Sequence, residues 1–277
     1  MMNYFGWIDF SRKDRELARD IIAALNDKGA VDEMGIGVIR DAFSDYFFPG
    51  TSTIQTSAKY FFLVSYQLEN LTRFPVPNPE RVLRENEREC SFAMWKSLSP
   101  EKRKKEGIFG RTFFERGAKD WVKRSPSVIY WRGIRELGFW RCDNELSLQE
   151  FLRVSSSREA IPVESDEDLK NGKKRAPDYE KSWHWNLPPP EARGNWQNSP
   201  DIKLTPGEAR FFLEQITHEQ PDSMFAFLAP FRRELPARFA DIGELELPAH
   251  LREAWLLAEK FSEFMWPAQL RFNALLG

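Results

Sequence analysis

Ala58-Lys59-Tyr60-Phe61-Phe62-Leu63-Val64-Ser65-Tyr66-Gln67-Leu68-Glu69-Asn70-Leu71 contains the longest aromatic and aliphatic run of the chain, Tyr60 to Val64. Ala58, Phe62, Tyr66 and Leu71 recur at helical spacing, so the stretch reads as a helix that starts after Thr51-Ser52-Thr53. The run is far too short to cross a bilayer. Before it, Ile36, Ile39, Phe43 and Phe47 predict a helix from Ile36 to Phe47, stopped by Pro49-Gly50. After it, the loop Phe74-Pro75-Val76-Pro77-Asn78-Pro79 leads into a helix from Glu80 to Leu98.

The remaining punctuation repeats this pattern. Ser99-Pro100 and Ser125-Pro126 each place a cap before a proline suited to the first helical position. The second of these helices carries Val128, Ile129, Trp131, Ile134 and Leu137 and closes at Gly138. Ser147 caps a short helix from Leu148 to Arg153, and Thr205 caps Pro206-Gly207-Glu208. Ser223 to Leu228 reads as a short helical turn. A long amphipathic stretch follows Pro248, with Leu251, Trp255, Leu256, Phe261, Phe264 and Met265. At the other end, Ser11 caps a helix ending at Gly29, and a short strand is allowed at Phe5–Phe10. Few segments alternate with period two.

The expected class is therefore mainly α and multi-helical, with two helical parts joined by a long irregular linker. The parts are an N-terminal helical domain at 1–153, the linker at 154–203, and a C-terminal helical part at 204–277 that packs on the first. The linker is marked by Ser155-Ser156-Ser157, by Asn171-Gly172-Lys173-Lys174-Arg175 and by Pro188-Pro189-Pro190. Within it Trp183-His184-Trp185 and Trp196 are out of character and are expected to dock back on the body.

Composition narrows the function classes. Among 277 residues, 39 are aromatic, which excludes disorder along most of the length. Three His and two Cys exclude most zinc architectures, and none is spaced as a metal pair. No metal site and no cofactor are expected, and no catalytic residue is assigned. The start has no secretory pattern and no window is apolar enough for a membrane, so a cytoplasmic protein is expected. Net charge is only −2, yet residues 101–135 hold eleven basic side chains against four acidic ones. The basic excess is local.

Three constellations can carry chemistry. In the basic segment, Lys104, Lys105, Arg116, Lys119, Lys123 and Arg124 suit phosphate contacts, and Trp121 is the candidate for base stacking. The alternative is a solvated helix face with core rings. In Phe48-Pro49-Gly50-Thr51-Ser52-Thr53-Ile54-Gln55-Thr56, a hydroxyl-rich turn opening a helix suits an anion at Gly50, Thr51, Ser52 and Thr53, helped by Arg40. The alternative is simple capping. Asp41 and Asp45, one turn apart, can hold magnesium or do acid–base work, or pair with Arg40.

Several segments together resemble a bacterial family of unknown function, domain family 6361. They are Phe5-Gly6-Trp7-Ile8-Asp9-Phe10-Ser11, Ile39-Arg40-Asp41-Ala42-Phe43-Ser44-Asp45, the Phe48–Thr56 turn with Ala58-Lys59-Tyr60-Phe61, Ser125-Pro126-Ser127-Val128-Ile129-Tyr130-Trp131, Leu204-Thr205 with Glu208-Ala209, and Phe272-Asn273-Ala274-Leu275-Leu276. The resemblance implies association with helicases, phospholipase-D-like nucleases and methyltransferases in anti-phage gene clusters, without a reaction. It also implies a C-terminally shortened chain, since relatives continue past Gly277. The expected function is a non-catalytic component of a defence system that binds DNA or RNA, or a helicase or nuclease partner, with no membrane partner. A magnesium-dependent enzyme acting on nucleotides or nucleic acid and a purely structural subunit are the alternatives.

Overall fold

The computed structural model describes residues 36–118, 120–142, 146–157, 183–234 and 239–276. The helix expected at Ser11–Gly29, the strand at Phe5–Phe10 and Lys119 lie outside the described residues. Compact packing divides the chain after Ala42. Of the first unit, the described residues are the opening turns of helix α1 (Ile36–Phe47). The second unit, Phe43–Gly277, holds everything that follows.

Helix α2 (Lys59–Arg73) is the centre of this unit. Every residue from Lys59 to Glu69 is buried. The helical spacing of Ala58, Phe62, Tyr66 and Leu71 therefore marks only part of what is buried, and the enclosed residues include the polar Lys59, Ser65, Gln67 and Glu69. Helix α3 (Pro79–Ser97) runs beside it, followed by short α4 (Pro100–Lys105) and α5 (Arg111–Glu115). Helix α6 (Pro126–Glu136) packs across α2. Strand β1 (Trp140–Cys142) and helix α7 (Leu148–Ser157) come next. Strand β2 (Trp183–Trp185) pairs antiparallel with β1, setting Trp140 opposite Trp185 and Arg141 opposite His184. Helices α8 (Pro206–Glu219), α9 (Met224–Leu228) and α10 (Ala249–Leu276) complete the element order. The fold is mainly α.

Two cores form. The larger joins α2, α6, β1 and α7 with Ile202, Ile216 and Ala226. Its aromatic density shows in the β-ribbon, where Trp131, Trp140, Phe151 and Trp183 interlock with ring centres 5.0–5.8 Å apart. Trp183, Trp185 and Trp196 pack against this core, as their composition suggested. The smaller core gathers Phe47, Met224, Leu228, Ile242, Leu247, Leu251 and Trp255.

The close contact of α2 with α6 depends on glycine. Gly50 has φ +74° and lies against Gly133, and a Cβ at Gly133 would collide with the Gly50 carbonyl. Here the Phe48–Thr56 turn is wedged against α6. Gln55 Nε2 donates to Gly50 O at 3.1 Å, while the Thr56 and Ser57 amides donate to the Tyr130 hydroxyl at 2.9 and 3.1 Å.

One ion pair ties the first part of the unit to the last. Lys59 Nζ donates to both oxygens of Glu208, at 2.8 and 2.6 Å, with the side chains 2% and 0% exposed. Tyr66 Oη donates to Glu208 Oε1 at 3.1 Å, and the Thr205 amide to Oε2 at 2.8 Å. Glu208 is thus both the ion-pair partner of α2 and the capping-box carboxylate of α8. Removing one partner of such a pair strands a buried charge. The variant Lys59→Met is expected to lose roughly 3–5 kcal/mol of unfolding free energy, and pairing it with Glu208→Gln to recover part of that. Denaturant unfolding of both variants measures this. A loss below about 1 kcal/mol for the single variant would show that the pair does not hold the two parts together.

Candidate nucleic-acid interface

The described basic side chains of residues 101–135 do not act as one patch. Arg103 folds back onto the end of α3, donating from Nε to Trp95 O at 2.8 Å and from Nη2 to Lys96 O at 3.1 Å, with its guanidinium 4.1 Å from the Trp95 ring centre. This satisfies carbonyls that a helix C-terminus leaves open. Arg111 donates to Lys104 O at 2.6 Å. Arg132 pairs with Glu136 at 2.6 Å and with Asp45 at 3.0 Å. Arg135 is engaged as well, and the described basic residues that remain are Lys102, Lys104, Lys105, Arg116, Lys123 and Arg124, all exposed and, among the described residues, in no ion pair.

Trp121 serves the core. It is only 7% exposed, its indole lies over Gly110 (φ +77°), and Arg84 stands 5.5 Å from its ring centre. A Cβ at residue 110 would collide with the indole nitrogen. The buried ring offers no free face to a base, so the expected stacking role does not fit its position.

An exposed aromatic lies elsewhere. On α3, Phe92 is 44% exposed and stacks on Trp95 with ring centres 5.7 Å apart and planes at 25°. Phe114 of α5 meets both rings edge-on or tilted, at 5.3 and 5.9 Å. Arg84, Arg88, Phe92 and Trp95 follow at three- and four-residue intervals, so they share one side of α3. That spacing is legible within Pro79–Ser97, but it falls outside the window where basic residues are densest. Together these side chains form a ridge, with α4 and α5 at one end and the 120–124 loop at the other.

The loop is fixed to α3 at two points. Arg84 Nη2 donates to Val122 O at 2.7 Å, and the Ser127 amide donates to Glu87 Oε1 at 2.5 Å. The second bond puts a carboxyl at the N-terminus of α6, where free amides favour it. Glu87 is buried beneath the ridge, and burial pushes its pKa from the ordinary 4.5 up to about 7, against hydrogen bonds from Ser127 and Ser125 and the nearby Arg84.

The other candidates are placed as follows. The turn at Gly50, Thr51, Ser52 and Thr53 does not open a helix: α2 begins at Lys59, beyond Ser57 and Ala58. The first free amides are taken up locally, Thr51 N by Phe48 O and Lys59 N by Ser57 Oγ. This corrects the expected helix start and leaves the turn without the helix terminus on which an anion site there rested. Arg40 belongs to the first unit and pairs with its neighbour Asp41 at 2.9 Å. Asp45 is engaged by Arg132. His218 Nδ1 is 2.9 Å from Glu219, and His250 Nε2 is 3.0 Å from Asp222 O. Among the described residues, no group of three or more His, Cys, Asp and Glu side chains is placed to hold a metal ion, and no helix is long and apolar enough to cross a membrane.

Comparison with known proteins adds one finding. The profile described as Family of unknown function (DUF6361) matches residues 2–277. The chain belongs to the DUF6361 family. No curated protein and no solved structure matches it. In this DUF6361 member, the segments that carry the resemblance have structural work to do: Lys59 and Glu208 form the buried ion pair, and Gly50 and Tyr130 join the Phe48–Thr56 turn to α6.

The Glu87 carboxyl gives the loop anchor a pH dependence. With its pKa raised in the fold, the folded chain binds more protons than the unfolded one between pH 4.5 and about 7. Its contribution is therefore fully present below the unfolded value and is lost as pH rises through about 7. Relative to Glu87→Gln, the wild type is expected to lose roughly 3 kcal/mol of unfolding free energy across that window. Denaturant titrations at a series of pH values measure it; a constant difference between the two proteins would show that Glu87 is ionised throughout.

Proposed function

We propose that this protein is a cytoplasmic, non-catalytic component of a bacterial anti-phage system that binds the backbone of DNA or RNA along the α3 ridge. The observation that carries the reading is the set of six exposed cations, Lys102, Lys104, Lys105, Arg116, Lys123 and Arg124, which form no ion pair among the described residues, together with the exposed Phe92–Trp95 stack and its neighbour Phe114. Cations of this kind neutralise phosphates and release counterions, while an exposed ring accepts an unpaired base. With a net charge of −2, attraction of the whole molecule for nucleic acid is negligible, so binding depends on this local surface. The defence setting and the helicase or nuclease partners come from the family resemblance.

Binding of labelled single-stranded DNA, single-stranded RNA and duplex at low salt tests the proposal. Affinity is expected to fall steeply with salt, and to drop about tenfold or more when Lys123→Glu and Arg124→Glu are combined. Phe92→Ala is expected to weaken single strands and leave duplex unchanged. Undetectable affinity at low salt, or affinity that survives the charge reversals, contradicts the reading.

A further inference from the structure

On the other side of α3 from the ridge, a groove of about 460 Å³ runs between α2, α3 and the 196–200 segment. Its chemistry differs from that of the ridge. Five carboxamides line it: Gln67, Asn70, Asn86, Gln197 and Asn198. None of the described residues that line it is Lys, Arg or His, and the ionisable groups among them are Glu89 and Cys90, whose thiol burial pushes up to about 12. Asn198 donates to Asn195 at 3.0 Å, whereas among the described residues no side-chain hydrogen bond occupies the amides of Asn70, Asn86 or Gln197. Gln67 is 5% exposed, and its Oε1 has no hydrogen-bond partner among the described residues. A buried amide left unsatisfied costs free energy, so its retention at a groove wall calls for an explanation.

Two rings complete the site. Trp196 is packed on Tyr66 with ring centres 5.3 Å apart, and Tyr66 is itself held by Glu208, so this wall is rigid. Phe74, 71% exposed, lines the groove as well. The floor is apolar, with Leu71, Val76 and Val82. Carboxamides pair each donor with an acceptor, matching the alternating donors and acceptors on the edge of a nucleobase. Aromatic faces accept its π-surface. With no cation among the described lining residues, the groove offers a phosphate no counter-charge there.

We infer that this groove is a nucleobase-binding site, recognising a base edge through Asn70, Asn86 and Gln197 and stacking the ring on Trp196 or Phe74. The base belongs either to a free nucleoside or to an unpaired position in a strand. The site uses residues separate from the ridge, and its test does not depend on the ridge being a nucleic-acid surface.

Calorimetric titration of the full chain with each of the four nucleosides at millimolar concentration is the first arm. At least one is expected to bind, its monophosphate with similar affinity, and Asn86→Ala and Phe74→Ala are each expected to weaken binding about tenfold or more. Both positions are exposed, and an unchanged thermal unfolding midpoint confirms that the variants fold. The second arm measures a single-stranded oligonucleotide against the same variants. Loss of nucleoside binding with unchanged strand binding identifies a free nucleoside; loss of strand binding as well identifies a base within a strand. Nucleoside binding indifferent to both substitutions overturns the inference. So does binding of a neutral sugar in place of any nucleoside, or no nucleoside binding combined with strand affinity that ignores both substitutions.

Discussion

The buried pair of Lys59 and Glu208 is the constraint on which the rest of the second unit depends. Two charges removed from water cost several kcal/mol each, and their attraction offsets that only when the remaining polar valences are filled. Here they are, by a two-pronged lysine contact, the Tyr66 hydroxyl and the Thr205 amide. An apolar pair of the same volume would supply similar stability. What the charged pair adds is register: one lysine at the start of α2 meets one glutamate in the first turn of α8, 149 residues later. The consequences spread outward from Tyr66. Its ring carries Arg193 at 4.9 Å and Trp196 at 5.3 Å, and Arg193 in turn pairs with Glu69 one turn along α2. The 188–200 segment is placed by this chain of contacts.

Helix α3 then divides the surface into two chemistries. One side presents arginines and the Phe92–Trp95 stack; the other, with Asn86 and Glu89, faces a groove lined by carboxamides. The difference follows from sequence spacing, since Arg84, Arg88, Phe92 and Trp95 lie far around the helix from Val82, Asn86 and Ala93. Between them Leu83, Glu87, Ser91 and Met94 face inward. Glu87 is the polar member of that buried row, and its bond to the α6 N-terminus holds the cationic 120–124 loop beside the ridge.

Much of the helical framework was legible because helix ends announce themselves locally. Ser99-Pro100, Ser125-Pro126, Thr205 with Glu208, and Ser223 all mark real starts, and Gly138 closes α6 with φ +66°. The start of α2 was misplaced because Thr51-Ser52-Thr53 resembles a cap, while the turn is instead held by Tyr130, 74 residues away from Thr56. Burial of α2 on every side was equally invisible, since it depends on α3, α6 and α8 arriving together. Trp183-His184-Trp185 was too short to read as a strand without its partner β1. The candidate surface was half legible. Charge density drew attention to residues 101–135, yet which cations stay free was decided by Asp45, Glu136 and the Trp95 and Lys104 carbonyls. Trp121, expected to stack on a base, is enclosed by Gly110 and Arg84, whereas Phe92, which lies outside the basic segment, is exposed.

The central claim is that nucleic acid lies along the α3 ridge. Hydrogen exchange of the full chain, with and without a single-stranded oligonucleotide, tests it most directly. The account predicts slowed exchange in residues 84–96 and 102–124, with α8 unchanged. No change anywhere, or protection confined to the turn at residues 48–56, would contradict it.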